Sequence, residues 1–134
     1  MVIITIPGEP KGKGRPRLGK GFTYTPKDTV TYENWVRTCF MNQEGKILEG
    51  ELKAEIYCYY SIPKSASKKK AAEMKEGNIR PIKKPDLDNI AKIILDSLNG
   101  MAYKDDSQIV QLHIEKYYGE QPLVRVCLEE VGNG

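Results

Sequence analysis

The stretch KKPDLDNIAKIILDSLNGMAYKDDSQ, residues 83–108 of a 134-residue chain, carries the clearest structural signal in the sequence. Apolar residues recur in it at three- and four-residue spacing, which predicts a helix with one buried face. Asn99 and Gly100 predict the end of this helix, because glycine readily adopts the backbone conformation that follows a helix. The predicted buried face consists of Leu87, Ile90, Ala91, Ile94 and Leu98.

Four aspartates bracket this helix, with Lys92 among them. Asp86 and Asp88 open it, and Asp105 and Asp106 follow it. Helix capping explains one of the first two, because a carboxylate stabilises the positive end of a helix. Capping does not explain all four, since close carboxylates repel one another unless a cation lies between them. A helix of roughly 12 residues spans about 18 Å, so the following loop must run back along it before Asp106 meets Asp86.

The remaining strands are read from apolar patterns. Residues 2–6 are rich in β-branched residues, and residues 52–60 alternate between apolar and polar, so both predict strands. Residues 110–114 and 124–128 also alternate, and the turn between them predicts an antiparallel hairpin. The order β-α-β-α-β-β predicts an α/β (α+β) fold, in which helices pack on a small mixed sheet of about four strands.

Another helix is expected between the first two strands. Thr25 is its predicted cap, Pro26 its first residue, and Gly45 marks the point before which it ends. Its predicted buried face has three- and four-residue spacing and consists of Tyr32, Trp35, Val36, Cys39 and Phe40.

Two segments lack a strong apolar pattern. Residues 8–25 are dense in glycine and proline, which predicts a long mobile loop rather than a regular element. Residues 63–84 include a stretch, 64–76, that is compatible with a short polar helix. Few apolar residues would hold that helix in place, so we expect residues 63–84 to be mobile without a ligand.

Both segments are strongly basic. The formal net charge is only +3, yet residues 10–20 carry five basic residues and no acid, and residues 63–84 carry eight basic and two acidic residues. Either segment alone is typical of a solvated loop. Two of them beside an acidic cluster favour a polyanionic partner, because lysine and arginine release counterions from phosphates. The candidate phosphate contacts are Lys11, Lys13, Arg15, Arg17, Lys83 and Lys84.

Length and composition predict a single domain over residues 1–134. Apolar runs are far shorter than the roughly 18 residues of a membrane span, and the N-terminus lacks a basic flank, so we expect a cytoplasmic protein. Cys39, Cys58 and Cys127 are far apart and odd in number, which predicts reduced core thiols. His113, the single histidine, is expected on the polar face of a strand.

Three kinds of site are compatible with clustered aspartates. A calcium-binding EF-hand loop is excluded, because its fifth, sixth and twelfth positions, counted from Asp86, hold Ile90, Ala91 and Ser97. A phosphatase-like nucleophile normally follows a buried apolar strand, whereas Asp86 follows IKKP. An all-oxygen site for a hard cation such as Mg²⁺ or Mn²⁺ matches the available side chains.

The same residues resemble the RusA family of Holliday junction resolvases. The resemblance lies in D-L-D-N at residues 86–89, a lysine four residues after the second aspartate, and DDSQIV at residues 105–110. It extends to the basic KGKGRPR loop with YTPK before the first helix, and it covers most of the chain. Residues 64–84 match no family pattern.

The resemblance implies a homodimeric, Mg²⁺-dependent endonuclease, with Mn²⁺ as an alternative ion. It would place paired symmetric nicks in four-way DNA junctions during recombination and repair. Asp86, Asp88 and Asp106 would be metal-binding catalytic carboxylates and Lys92 a catalytic lysine. Asp105 would be a cap or a supporting group, and the basic residues above would bind DNA.

Two other functions remain open at this point. The acids of a non-catalytic protein that binds branched DNA would serve only capping and solubility, and Lys92 would form an ordinary ion pair with Asp88 or Asp96. The other is a nuclease for flap or other branched DNA. Tyr24 or Phe22 is a candidate for stacking on exposed bases, with core packing as the alternative.

Overall fold

A computed structural model of the protein describes residues 1–43 and 45–132. Its strands and helices are β1 (Val2–Pro7), β2 (Arg17–Gly19), β3 (Phe22–Tyr24), α1 (Lys27–Gln43), β4 (Leu52–Ser61), α2 (Lys68–Lys75), α3 (Leu87–Ser97), β5 (Ile109–Gly119) and β6 (Leu123–Glu130). A 3₁₀ helix at Asp106–Gln108 precedes β5. The main sheet is mixed and has four strands in the order β1-β6-β4-β5, and together with the helices it confirms the predicted fold class.

Strand β4 lies at the centre of the protein, because it pairs with β5 on one side and β6 on the other. Its side chains alternate as predicted, and those on the helix side are at most 1% exposed. The matching positions of β6 are fully buried beside them, which confirms the predicted inward face of residues 124–128. These buried side chains are Leu52, Ala54, Ile56, Cys58, Tyr60, Val124, Val126 and Leu128.

Helices α1 and α3 pack against each other above this sheet. The predicted buried face of α3 is confirmed at Ile90, Ala91, Ile94 and Leu98. Within the described residues, no helix is long and apolar enough to cross a membrane.

The prediction for α1 is confirmed except at Trp35. Four members of the predicted face are at most 7% exposed, but Trp35 is 41% exposed. Its indole Nε1 donates a hydrogen bond to the carbonyl of Pro7, 2.8 Å away. A tryptophan at the rim of a core keeps its ring partly covered while its N–H finds a partner, so apolar spacing alone misplaced it.

The predicted hairpin of the last two strands is wrong. Strand β5 pairs in parallel with β4, and β6 pairs antiparallel with β4 and β1, so β4 lies between β5 and β6. The short connection between Gly119 and Leu123 crosses the end of β4. Four residue steps reach about 13 Å, which exceeds the roughly 10 Å across two strand spacings.

Strand β5 is an edge strand, and this overturns part of its predicted buried face. Val110 is 59% exposed and Leu112 is 44% exposed, whereas Ile114 packs against the core. Leu112 lies opposite Ala54 and therefore points to the helix side of the sheet. The helices cover the centre of the sheet more completely than this edge.

Residues 8–25, the first basic segment, contain regular structure that the sequence did not predict. Strands β2 and β3 form a separate two-stranded sheet within that loop. Gly21 has a φ of +75°, a conformation that glycine adopts readily, and this allows the tight turn between the two strands. The high Gly and Pro content of the segment led to the prediction of a loop without strands. In the second segment the short polar helix is confirmed as α2.

The segment after α2 is attached to the outer face of the sheet. The Arg80 guanidinium contacts Glu115 at 2.7 Å and lies 4.2 Å from the ring centre of Tyr117. His113 also contacts Glu115 at 2.8 Å, which places it on the polar face as predicted. The hydrogen bond from Arg80, followed by that from His113, lowers the pKa of Glu115 to about 2. The second basic segment is therefore held to β5 by a defined group of side chains.

The hydroxyl of Tyr32 allows a stability prediction. Among the buried side-chain nitrogen and oxygen atoms of residues 1–43 and 45–132, it is the one found without a hydrogen-bond partner. Replacing it in Tyr32→Phe removes the cost of burying that group. We expect the free energy of unfolding to rise by about 1 kcal/mol in urea denaturation.

Tyr103→Phe is the matched control. The Tyr103 hydroxyl donates to the carbonyl of Leu95 at 2.5 Å, so its removal is expected to lower the free energy of unfolding by about 1 kcal/mol. Equal destabilisation by both substitutions would show that the Tyr32 hydroxyl has a partner.

Candidate active site

The basic loop before β2 is docked on both helices. The backbone N–H of Lys13 donates to the carbonyl of Asn89 in α3, 3.0 Å away. The N–H of Gly14 donates to Oγ1 of Thr29 in α1, also at 3.0 Å. At Gly12 the backbone approaches α3 so closely that a Cβ would stand 3.0 Å from the Cβ of Asn89. The loop therefore has a fixed position across the beginning of α3.

A cleft of about 510 Å³ separates this loop from the first turns of α3. Both aspartates of the D-L-D-N motif and Lys92 face the cleft. Basic loop residues form the opposite wall. The structure thus brings together three predicted catalytic residues and three predicted phosphate contacts. The charged and polar lining residues are Lys13, Arg15, Lys84, Asp86, Asp88, Asn89 and Lys92.

Asn89 orients the first aspartate of the motif. Asp86 precedes α3 but makes no capping hydrogen bond with its side chain. Its Oδ1 instead accepts a hydrogen bond from Nδ2 of Asn89 at 2.8 Å. This hydrogen bond is the main reason that the pKa of Asp86 lies below its ordinary value, and the charge of Lys84 adds to the effect. Simple helix capping therefore does not explain Asp86, and Asn89 gains a role that the sequence did not show.

Lys13 forms ion pairs with two acids rather than facing solvent. Its Nζ lies 2.7 Å from Oε2 of Glu33 and 3.4 Å from Oδ2 of Asp96. Partial burial lowers the pKa of Lys13, but the bonds and charges of Glu33 and then Asp96 outweigh it and raise that pKa. Sequence reasoning missed Glu33, although its place between Tyr32 and Val36 on the buried side of α1 indicates a carboxylate that needs a partner.

Asp106 lies at the other end of α3. Its backbone N–H donates to Oδ1 of Asn99 at 2.8 Å, and its carboxyl group meets that of Asp96. Burial raises the pKa of Asp106, and the negative charges of Asp105 and Asp96 raise it further. Asp96 lies ten residue steps after Asp86, so the two ends are about 15 Å apart along the helix.

The acidic side chains therefore form two pairs rather than one cluster. Asp86 lies with Asp88, and Asp106 lies with Asp96. Within residues 1–43 and 45–132 of one chain, no three histidine, cysteine or acidic side chains are grouped as they would be around a metal ion.

Two further positions clarify the motif. Asp105 caps the 3₁₀ helix, because its side chain accepts a hydrogen bond from the N–H of Ser107 at 3.1 Å, which confirms the cap that was predicted for it. Lys92 is exposed in the cleft, and none of the ion pairs found among the described residues includes it. The alternative of an ordinary ion pair with Asp88 or Asp96 is not what the structure shows.

A second cleft of about 470 Å³ adjoins the first on the far side of Gly12. Its lining includes three lysines and one aromatic ring, which are Lys11, Lys83, Lys84 and Tyr60. The Tyr60 hydroxyl donates to the carbonyl of Pro85 at 2.6 Å, directly before Asp86. The two clefts together form a basic surface that passes over the beginning of α3.

Acidic, lysine and arginine side chains lie together around this open cleft. Carboxylates suit a hard cation, and exposed cations suit a phosphate backbone, so the lining is compatible with both kinds of ligand.

Comparison with known proteins identifies the family. The endodeoxyribonuclease RusA family matches residues 7–129, and the chain belongs to it. Membership implies endodeoxyribonuclease activity on Holliday junctions. The chain is also 37% identical over 137 residues to the uncharacterized protein YqaN of Bacillus subtilis (strain 168), covering 97% of this chain and 96% of that protein.

The Asp86–Asn89 contact generates a pH prediction. We expect Asn89→Ala to raise the pKa of Asp86 toward its ordinary value of 3.8. A carboxyl group with a lowered pKa stabilises the fold above that ordinary value and loses this effect as the pH falls through the folded pKa. The melting temperature of the variant should therefore lie below that of wild type at neutral pH. The difference between the two melting temperatures should become smaller as the pH falls toward the lowered pKa of Asp86 in wild type.

Carboxyl NMR titration of Asp86 and melting curves across the pH range check this. Asn78→Ala is the control, because Asn78 donates to Glu73 and Glu76 near α2. An unchanged Asp86 pKa in Asn89→Ala would remove Asn89 from its orienting role.

Proposed function

We propose that this protein is a Mg²⁺-dependent Holliday junction resolvase that acts as a homodimer and makes paired symmetric nicks. The observation that carries the proposal is the cleft in which Asp86, Asp88 and Lys92 face the docked basic loop. Family membership supports the reaction class. We infer action in the cytoplasm, where three free cysteines stay reduced.

The side chains present suit a magnesium ion. Asp86 and Asp88 offer carboxylate oxygens next to each other, and the Asp96–Asp106 pair offers more. Mg²⁺ is commonly held by one or two carboxylates, together with water and substrate phosphates. Either pair is therefore chemically sufficient as a starting set. Mn²⁺ accepts the same oxygen ligands.

When bound, the ion lowers the pKa of a water molecule and neutralises charge on the scissile phosphate. The protein contributes orientation and fixed charge. Asn89 holds Asp86 in place through its 2.8 Å hydrogen bond. Lys92 lies one helical turn beyond Asp88, and its exposed ammonium is positioned to stabilise negative charge on the phosphate in the transition state. Lys84 adds positive charge on the other side of Asp86.

Asp106 enters the proposal through the dimer. About 15 Å of helix separates it from Asp86, so one ion shared by Asp86, Asp88 and Asp106 requires either a large shift of residues 99–106 or a second chain. A two-fold dimer that sets the end of α3 in one chain against the beginning of α3 in the other would bring the two acidic pairs together. We propose this arrangement, which also produces two equivalent active sites for a two-fold symmetric junction.

Nicking of a synthetic four-way junction tests the proposal. Wild type is expected to cut in Mg²⁺ or Mn²⁺ and to lose cutting in EDTA. Asp86→Asn, Asp88→Asn and Asp106→Asn should each reduce the rate by about 100-fold or more while the junction stays bound, because a metal-binding carboxylate is lost. Glu129→Gln, an exposed acid on β6, is the control and should cut normally.

Mixing two inactive variants reveals where each site is completed. With sites shared between chains, a heterodimer of Asp86→Asn and Asp106→Asn contains one intact site and should nick one strand. With sites inside single chains, the mixture stays inactive. If wild type binds the junction but does not cut it under any metal condition, the protein is a non-catalytic protein that binds branched DNA. If it cuts flap DNA faster than the junction, it is instead a nuclease for flap or other branched DNA.

The exposed basic residues generate a prediction for DNA binding. Lys11, Arg15 and Arg17 face solvent, unlike the ion-paired Lys13. Each phosphate contact contributes about 0.9 to the slope of log affinity against log salt concentration. The triple alanine variant should therefore bind the junction more weakly and with a slope smaller by about 2 to 3.

Filter binding or fluorescence anisotropy at several salt concentrations measures this slope. Lys46→Ala removes an exposed charge elsewhere and should leave the slope unchanged. The same comparison with Lys83→Ala and Lys84→Ala tests the second basic segment. An unaltered slope in the triple variant would place the loop outside the interface.

A further inference from the structure

The β2–β3 hairpin exposes an unusual amount of apolar surface. Its register pairs Gly19 with Phe22, so Lys20 and Gly21 form a two-residue turn. Leu18 is 85% exposed, Phe22 60% and Tyr24 46%. The hairpin forms its own two-stranded sheet beside the main one. An isolated pair of strands is at best marginally stable in water, and this one buries little of its own apolar surface, so a ligand on these side chains would stabilise it.

One face of the hairpin combines two aromatic rings with a cation. Phe22 and Tyr24 are two residues apart and point to the same side, and Arg17 lies directly opposite Tyr24. The ring centres are 6.1 Å apart with an angle of 48° between the planes. Phe22 lies across Gly19, where a Cβ would stand 2.6 Å from its Cζ. Glycine is therefore required for the ring to rest there.

This face continues directly from the candidate active site. The backbone hydrogen bonds of Lys13 and Gly14 fix the loop at α3 and α1, and Arg15 lines the cleft with Asp86. Arg17 follows only two residues later, a reach of about 7 Å. If one phosphate of a DNA strand lies in the cleft, the neighbouring nucleotides of that DNA strand would therefore lie at the hairpin.

The surrounding charge indicates the occupant. Residues 10–20 contain five basic residues and no acid, so a phosphate backbone is attracted to this loop. Aromatic rings stack on base faces, which double-stranded DNA hides and which strand exchange points and single strands expose. A basic loop that ends in exposed aromatic rings therefore fits bases that lack a stacking neighbour better than it fits intact duplex.

We propose that the hairpin face formed by Arg17, Phe22 and Tyr24 stacks on base faces that lose their stacking neighbours at the branch point of the DNA substrate. The inference rests on the proposed function, because it assigns the substrate feature that the same loop recognises. The hairpin would thereby supply the preference for branched over linear DNA, while the lysines and arginines supply affinity for both. Leu18 and Thr23 occupy the opposite face of the hairpin.

Binding in EDTA tests this inference without requiring cleavage. The double variant Phe22→Ser/Tyr24→Ser should bind a four-way junction roughly tenfold or more weakly, given the usual contribution of a stacked base. Its affinity for a duplex of the same sequence should stay within about twofold of wild type, since the phosphate contacts are retained. Met41→Ser, which replaces an exposed apolar residue on α1, is the control and should match wild type on both substrates.

A fluorescent base analogue, 2-aminopurine, at the branch point gives a direct readout. Wild type and Tyr24→Phe should change its fluorescence on binding, and the double variant should not. An unchanged ratio of junction to duplex affinity in the double variant overturns the inference. Loss of dimerisation by that variant in sedimentation also overturns it, because the hairpin would then contact a second copy of the chain. Failure of wild type to cut in Mg²⁺ would instead affect the proposed function alone.

Discussion

The pairing of the α3 carboxylates with hydrogen-bond donors and cations is the interaction on which the arrangement of the candidate site depends. Asp86 and Asp88 lie at one end of an 11-residue helix, and Asp96 meets Asp106 at the other. Each pair is accompanied by positive charge. Lys84 acts on Asp86, and Lys13 bonds to Asp96. The basic residues near α3 are thus part of the electrostatic balance of the helix.

Lys13 shows how the loop acquires its position. Its ammonium group joins Glu33 of α1 to Asp96 of α3, while its backbone N–H bonds to Asn89. A half-buried ion pair of this kind adds little net stability, because both partners lose water. Breaking it would leave two carboxylates unpaired, so it fixes the arrangement more than it stabilises the fold. The route of the loop past the D-L-D-N motif follows from these contacts.

Local sequence patterns predicted the elements of the fold better than their partners. The alternation in residues 52–60 and the face of α3 follow from spacing within a few residues, and the structure confirms both. The neighbour of β5 depends on a crossover between distant parts of the chain, which alternation does not encode, and a short turn wrongly favoured a hairpin. Trp35 has helical core spacing, yet its N–H found the carbonyl of Pro7 at the rim. The same distinction applies to the candidate site. D-L-D-N and Lys92 are close in sequence and were predicted, whereas Glu33 is brought to the site by the tertiary fold and was missed.

The two ends of α3 have different local environments, and this difference bears on how the acids are used. Asp86 is oriented by a neutral amide and has a lowered pKa, so it is ionised and ready to accept a cation. Asp106 is more buried, lies against another carboxyl group and has a raised pKa. A cation brought to Asp106 would relieve that repulsion, because an opposite charge favours the ionised carboxylate. In a single chain, the Asp86–Asp88 pair is therefore already oriented and charged. The Asp96–Asp106 pair is the one whose repulsion a nearby cation would reduce most. In the proposed dimer, an active site built from both pairs would be complete only after two chains associate.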